Sequence, residues 1–199
     1  MRYSDRSNMG KRYAVAILAA LISAILFGFL LNFVITKIEY ATYKKPQEYA
    51  EFVEKYSEKY DVPEHIIWAV IKAESGFDYT AKSSVGAIGL MQMMPETFED
   101  LTDNHLKEYF DSGMLFDAET NIRYGTYYLA YLYRYFGDWS VALAAYNAGL
   151  GNVNEWLADE RYSFDGQTLD KIPFKETRDY VAKVERYTKK YNKLYDQTK

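Results

Sequence analysis

The residue in this sequence whose position calls for chemistry is Glu74, in the stretch "AESGF". It follows Ile71 by three residues, Val70 by four and Ile67 by seven, and at helical spacing these offsets put its carboxylate on the apolar face of one helix. A carboxylate turned toward apolar surroundings loses hydration, so its protonated form is favoured and its pKa rises. Such a group can act as a general acid near neutral pH. The same place also suits a helix-end glutamate that caps a backbone or pairs with an arginine, and position alone leaves both open.

The stretch that follows, "AKSSVGAIGLMQMMPET", reads as a glycine-punctuated loop entering a helix at Pro95. Gly86 and Gly89 permit backbone shapes and close approaches that a Cβ forbids, which is how a loop can lie against a ligand. Ser83 and Gln92 offer hydrogen bonds; Met91, Met93 and Met94 offer adaptable apolar surface. Taken singly, each has an ordinary explanation as a turn serine, a surface glutamine or a core methionine.

The elements that must position these groups are helices. Beyond Pro46 the apolar residues recur at helical spacing and no run alternates as a strand would, so the fold class is all-α. One helix is expected over about Pro46 to Tyr60, and a second, capped by Asp61 with Pro63 in its first turn, as far as Gly76. Others are expected over about Glu96 to Asn104, Asp117 to Tyr135, Trp139 to Ala148, Asn152 to Ala158 and Glu176 to Tyr195. The tyrosines at 124, 127, 128, 131 and 135 form a stripe read as helix packing, with one or two rings at its edge placed to stack on sugars. "KVERYTKKYNKLY" reads as the solvated back of the last helix.

Before these helices, no charged residue falls between Arg12 and Lys37, and the 23 residues "YAVAILAALISAILFGFLLNFVI" fill most of that gap. As a helix they would extend about 34 Å, enough for a bilayer core of roughly 30 Å. The apolar run is too long for a signal peptide and lacks a small-x-small cleavage site after it, so it reads as an uncleaved anchor. The expected organisation is a cytoplasmic tail over 1–12, a transmembrane anchor over 13–36, a linker over 37–45 and one soluble domain over 46–199. Arg2, Arg6, Lys11 and Arg12 before the span against Lys37, Lys44 and Lys45 after it favour a cytoplasmic N-terminus and an extracytoplasmic domain. There is no cysteine, which excludes a lipid-anchored one.

Residues 1–45 hold seven basic and two acidic residues, which leaves 17 basic against 26 acidic in the remainder, a net charge of about −9. Nucleic acid is thereby an unfit partner, since phosphate binding needs a basic footprint. His65 and His105 stand singly with no ligand-spaced partner, so no metal is expected and no cofactor is implied.

Taken together, "ESGF" at Glu74, "SSVGAIGLMQMMP" from Ser83, "AYNAGLGNV" from Ala145 and "IPFKETRDYV" from Ile172 resemble, in this order, the signature blocks of the Slt-type lytic transglycosylases. The resemblance covers about residues 60 to 185. Asp78-Tyr79 and Leu150 depart from it, where many members have Asn-Pro and proline; these bear on loop shape and so on substrate preference. It implies a lysozyme-like catalytic domain that cleaves the β-1,4 bond between N-acetylmuramic acid and N-acetylglucosamine in peptidoglycan without consuming water.

By the same resemblance, Glu74 would serve as acid and then base. Ser83 would hydrogen-bond the N-acetyl group, Gln92 and Met94 would contact sugar rings, and Tyr146 and Asn147 would line the cleft near Glu74, with Tyr180 on the opposite wall; Glu176, in the C-terminal block, is the further acid expected near the cleft. The implied partners are glycan strands and the membrane; no protein partner is indicated. Two alternatives stay open: a hydrolytic muramidase on the same fold, which needs a second carboxylate, and a glycan-binding or assembly protein with an inactive cleft.

Overall fold

In a computed structural model the structure describes residues 3–109 and 111–195; Arg2 and residues 196–199, which fall within the expected tail and soluble domain, lie outside them. The chain divides into two compact units, Met1–Lys44 and Lys45–Lys199.

The first unit is one helix, α1 (Tyr3–Thr42). Its stretch Lys11–Thr42, 32 residues, is long and apolar enough to cross a membrane, and none of its most apolar part is buried against protein. The helix runs on through most of the segment read as a linker.

The second unit is helical, with no strand among the described residues and only isolated bridges joining Lys82, Ile88 and Met93. Its helices are α2 (Ala50–Tyr60), α3 (Glu64–Glu74), α4 (Pro95–Asp100), α5 (Ala118–Phe136), α6 (Trp139–Ala148), α7 (Leu150–Leu157) and α8 (Lys175–Tyr195). At its centre is α6, where Val141, Ala142, Leu143, Ala144 and Ala145 are all buried. A helix apolar all round has no solvent face to offer, and α6 accordingly meets α5, α7 and α8. Small side chains let those neighbours approach.

Caps set the boundaries of α5 and α6. The carboxylates of Asp117 and Asp138 accept from Thr120 N (2.8 Å) and Val141 N (2.9 Å), and α5 ends on Gly137 at φ +75°. Each such N-cap is worth about 1 kcal/mol. Asp61, expected to cap α3, instead ends α2 in a left-handed conformation at φ +57°. Ser57 decides this: its carbonyl accepts from Val62 N (3.1 Å) and its hydroxyl donates to Val62 O (2.7 Å), which closes the turn on α2. Pro63 then sits just before the first residue of α3 rather than within its first turn.

The helix expected to Asn104 keeps α form only to Asp100, continues as a π-helical turn over Leu101–Leu106, and stops at Lys107 with φ +55°. A 3-10 turn, Ser112–Phe116, carries Leu115 into the core beside Ile88, Met93, Phe98, Leu101 and Tyr124. Val184, Tyr191 and Leu194 of the segment read as the solvated back of α8 are buried, because α8 packs on both α3 and α6.

Candidate active site

Helix α3 delivers Glu74 at its last turn. Its stripe of Ile66, Ile67, Val70 and Ile71 is buried, and with the stripe facing inward the carboxylate four residues beyond Val70 must face inward as well. The helix ends immediately after it. Ser75 folds back, its hydroxyl donating to Leu90 O (2.8 Å) and accepting from Phe77 N (3.1 Å), so the end of α3 is tied to the loop that follows. Gly76 and Phe77 are both left-handed, at φ +61° and +77°; for phenylalanine that conformation is strained, and here it turns the chain sharply away from the carboxylate.

Glu74 lines a cavity of about 430 Å³ with Ala73, Asn147, Glu176, Asp179, Tyr180 and Lys183. Three elements build it: the end of α3, the end of α6 and the first turns of α8. Asn147 is in place because α6 ends on Gly149, whose φ of +88° terminates the helix. Glu176, Asp179, Tyr180 and Lys183 recur at offsets of three, four and seven, which is one face of α8.

Burial pushes the Glu74 carboxyl up to about 7. Tyr180 and the Lys183 ammonium pull it back down, and Glu176 raises it. The Tyr180 hydroxyl is buried, has no full hydrogen bond among the described residues and is coupled to Glu74. Lys183 donates to Ala73 O (2.9 Å), so its charge is held beside the acid across the α3–α8 contact. Tyr146 lies beneath, its hydroxyl donating to Met91 O (2.8 Å). Burial and the Glu74 charge hold its pKa well above the ordinary value.

The structure therefore gathers Glu74, Asn147, Glu176 and Tyr180, with Tyr146 beneath them. Ser83, Gln92 and Met94 do not line that cavity; they shape the loop beside it. The Ser83 hydroxyl accepts from Ala87 N (2.9 Å), closing a turn at Gly86. Gln92, left-handed at φ +47°, commits its amide nitrogen to Ala81 O (3.2 Å) and Gly89 O (3.0 Å), which leaves its amide oxygen as the group for a ligand. Met94 is half-buried at the N-cap of α4.

Two residues of consequence went unread in the sequence. Lys183 falls in the segment that reads as the solvated back of α8, although its spacing from Glu176 and Tyr180 puts it on their face. Asn121 is wholly buried on α5, with its amide oxygen accepting from Met91 N (2.7 Å) and its nitrogen donating to Ile88 O (2.9 Å) and Leu115 O (2.8 Å). It holds the loop in place. The loop passes so close that a Cβ at Gly89, already at φ +79°, would lie 2.3 Å from Asn121 Nδ2.

The family model described as "Transglycosylase SLT domain" matches residues 51–168. The soluble lytic murein transglycosylase of Escherichia coli strain K12 is 38% identical over 149 residues, covering 73% of this chain and 23% of that protein. The membrane-bound lytic murein transglycosylase C of Serratia proteamaculans is 35% identical over 172 residues, covering 75% of this chain and 48% of the relative. Among solved structures, an inactive mutant of the lytic transglycosylase Slt of Pseudomonas aeruginosa, with a glutamine in place of a glutamate, superposes with a TM-score of 0.65 at 35% identity, covering 75% of this chain and 25% of that one. The chain thus spans about a quarter of the length of the soluble relatives it matches.

Proposed function

Given that this chain belongs to the transglycosylase SLT domain family, we propose that it is a membrane-anchored lytic transglycosylase of peptidoglycan. The observation that carries this reading is one carboxylic acid, Glu74, set in a cavity that raises its pKa to about 7. Near neutrality it can give up a proton and take one back.

Glu74 protonates the glycosidic oxygen between N-acetylmuramic acid and N-acetylglucosamine, and the C1–O bond breaks with the electron pair leaving on that oxygen. The substrate's N-acetyl carbonyl closes on C1 and spreads the positive charge, a substrate-assisted variant of glycoside cleavage. The carboxylate of Glu74 then takes the proton of the sugar's 6-hydroxyl while O6 attacks C1, releasing the carbonyl and leaving a 1,6-anhydro ring. Proton and charge balance without water. In this reading Ser83 meets the N-acetyl group, and Gln92 and Met94 meet sugar rings. Asn147, Glu176 and Tyr180 hold the reacting sugar, while Tyr146 supports the floor beneath Glu74.

A hydrolytic reading keeps some support, because Glu176 and Asp179 share the cavity and a second carboxylate could position water. Asp179 is the weaker candidate, since it already pairs with Lys175. Mass spectrometry of digested peptidoglycan decides between the two: 1,6-anhydromuramic ends are expected, and reducing muramic ends in their place would overturn the transglycosylase reading.

The first step needs protonated Glu74, so activity is expected to fall as pH rises through about 7. The groups facing it are Tyr146 and Asn147 from α6, and Glu176, Asp179, Tyr180 and Lys183 from α8. Lys183 is the cation among them and lowers the Glu74 pKa, so in Lys183→Met the alkaline limb moves to higher pH, while Lys183→Arg leaves it nearly in place. A limb unmoved in Lys183→Met would remove Lys183 from this role.

Helix α1 is the proposed anchor, a single span with Arg6, Lys11 and Arg12 on the cytoplasmic side and the second unit outside. The apolar length of α1 and the similarity to membrane-bound relatives support it. Protease added to intact cells is expected to cut the second unit; complete protection would reverse the topology.

A further inference from the structure

The tyrosines of α5 divide in the structure. Tyr124 is core, packed edge-on against Phe98 with centroids 4.5 Å apart and its hydroxyl donating to Glu108 (2.6 Å). The rings further along the helix emerge. Tyr128 is half-buried and still packs on the core cluster that holds Tyr124, Tyr131 is half-buried, and Tyr135 is 55% exposed.

These rings run in one file from the candidate active site. Tyr146, coupled to Glu74, lies 5.5 Å from Tyr128; Tyr128 lies 6.4 Å from Tyr131 with planes 12° apart, and Tyr131 lies 6.5 Å from Tyr135. The steps are of the order of one pyranose. Neighbouring elements fix the outer rings: His105, from the π-helical turn, packs edge-on against Tyr131 at 5.0 Å, and Asn154 Nδ2 of α7 donates to the Tyr135 hydroxyl (3.3 Å). The rings are therefore oriented before any ligand arrives, which lowers the entropy cost of binding.

We propose that Tyr128, Tyr131 and Tyr135 form an aromatic track on which a glycan strand stacks as it extends from the Glu74 cavity. Three features point to a sugar polymer rather than a protein partner. The file is one ring wide and linear, whereas a protein interface centres on a compact patch. Its inner end meets Tyr146, which sits within reach of the Glu74 charge. It also offers an uncharged hold, which a domain of net charge about −9 needs when its ligand is a polymer bearing carboxylates. The C–H faces of β-1,4-linked sugars suit aromatic faces, and Asn154 and Asp100 border the file with groups that meet hydroxyls.

The proposal rests on the transglycosylase reading, and the test separates the two. In the full-length protein in detergent, kcat/KM is measured on long peptide-free glycan strands and on a tetrasaccharide. The Tyr131→Ala/Tyr135→Ala variant is expected to lose about tenfold of the wild type's preference for long strands, what one or two stacked rings supply. Tyr135→Ala alone, at an exposed position where folding is not at stake, loses about threefold by the same reasoning. Tyr135→Trp keeps the preference. An unchanged preference in both alanine variants overturns the track. Should the chain prove not to cleave glycans, sedimentation of Glu74→Gln with insoluble peptidoglycan still decides: weaker binding on adding the two alanines supports the track, and equal binding overturns it.

Discussion

Glu74→Gln is expected to abolish lysis of peptidoglycan, lowering kcat by about 10³-fold or more, because in the proposed mechanism both proton transfers pass through one carboxyl. Glutamine keeps the shape and much of the hydrogen bonding, so binding to the glycan should survive, and a large loss in kcat with little change in affinity is the signature to look for. The same variant carries a second, opposite effect on stability. The folded-state pKa of Glu74 is raised to about 7 by burial. The stability from holding it protonated is therefore complete below its unfolded value and lost as pH rises through about 7.

Glutamine has no charge to bury, so thermal unfolding of Glu74→Gln should match wild type near pH 4 and exceed it at pH 8, by at most about 3 kcal/mol. An inactive protein that is more stable only at alkaline pH would identify Glu74 as a functional group held at a structural cost. Equal stability at every pH would mean the carboxyl is not desolvated.

Asn121→Ala is the substitution outside the cavity with the largest expected effect. It removes three buried hydrogen bonds, orphaning Met91 N–H and losing the donor to two carbonyls, Ile88 O and Leu115 O. At about 1–3 kcal/mol for each buried group left unsatisfied, the total destabilisation is expected near 3–5 kcal/mol. Activity falls with it, because Met91 O anchors the Tyr146 hydroxyl beneath Glu74 and Leu90 O anchors Ser75 at the end of α3.

Asn121→Asp sharpens the test. It keeps the volume and the acceptor for Met91 N–H, but sets an oxygen against the two carbonyls, so it should be at least as damaging. Chemical denaturation and amide exchange at Met91 read both variants, and a mild Asn121→Asp phenotype would show that the contacts to Ile88 and Leu115 carry little.

Much of the site could be read along the chain. The inward face of Glu74 followed from offsets to Ile67, Val70 and Ile71, since helical period is local information that needs no partner helix. The spans of α5 and α6, expected over about Asp117 to Tyr135 and Trp139 to Ala148 and found at Ala118–Phe136 and Trp139–Ala148, followed for the same reason. The resemblance of four blocks supplied Asn147, Glu176 and Tyr180, which the fold brings to one cavity with Glu74. Tertiary structure decided what depends on which surfaces meet.

The packing of α8 on α3 carries Lys183 across 110 residues of sequence to Ala73 O, where a run of basic residues had looked like solvent-facing charge. Asn121 was silent in the sequence because a lone polar residue on an amphipathic helix looks alike whether it faces water or three backbone groups. Ser83, Gln92 and Met94 stand beside the cavity and not in it, since a loop's path is set by the contacts at its ends, here Ser75 and Asn121. The tyrosine stripe was visible as spacing. Which of its rings are core and which are open depended on where α4 and the π-helical turn come to rest against α5.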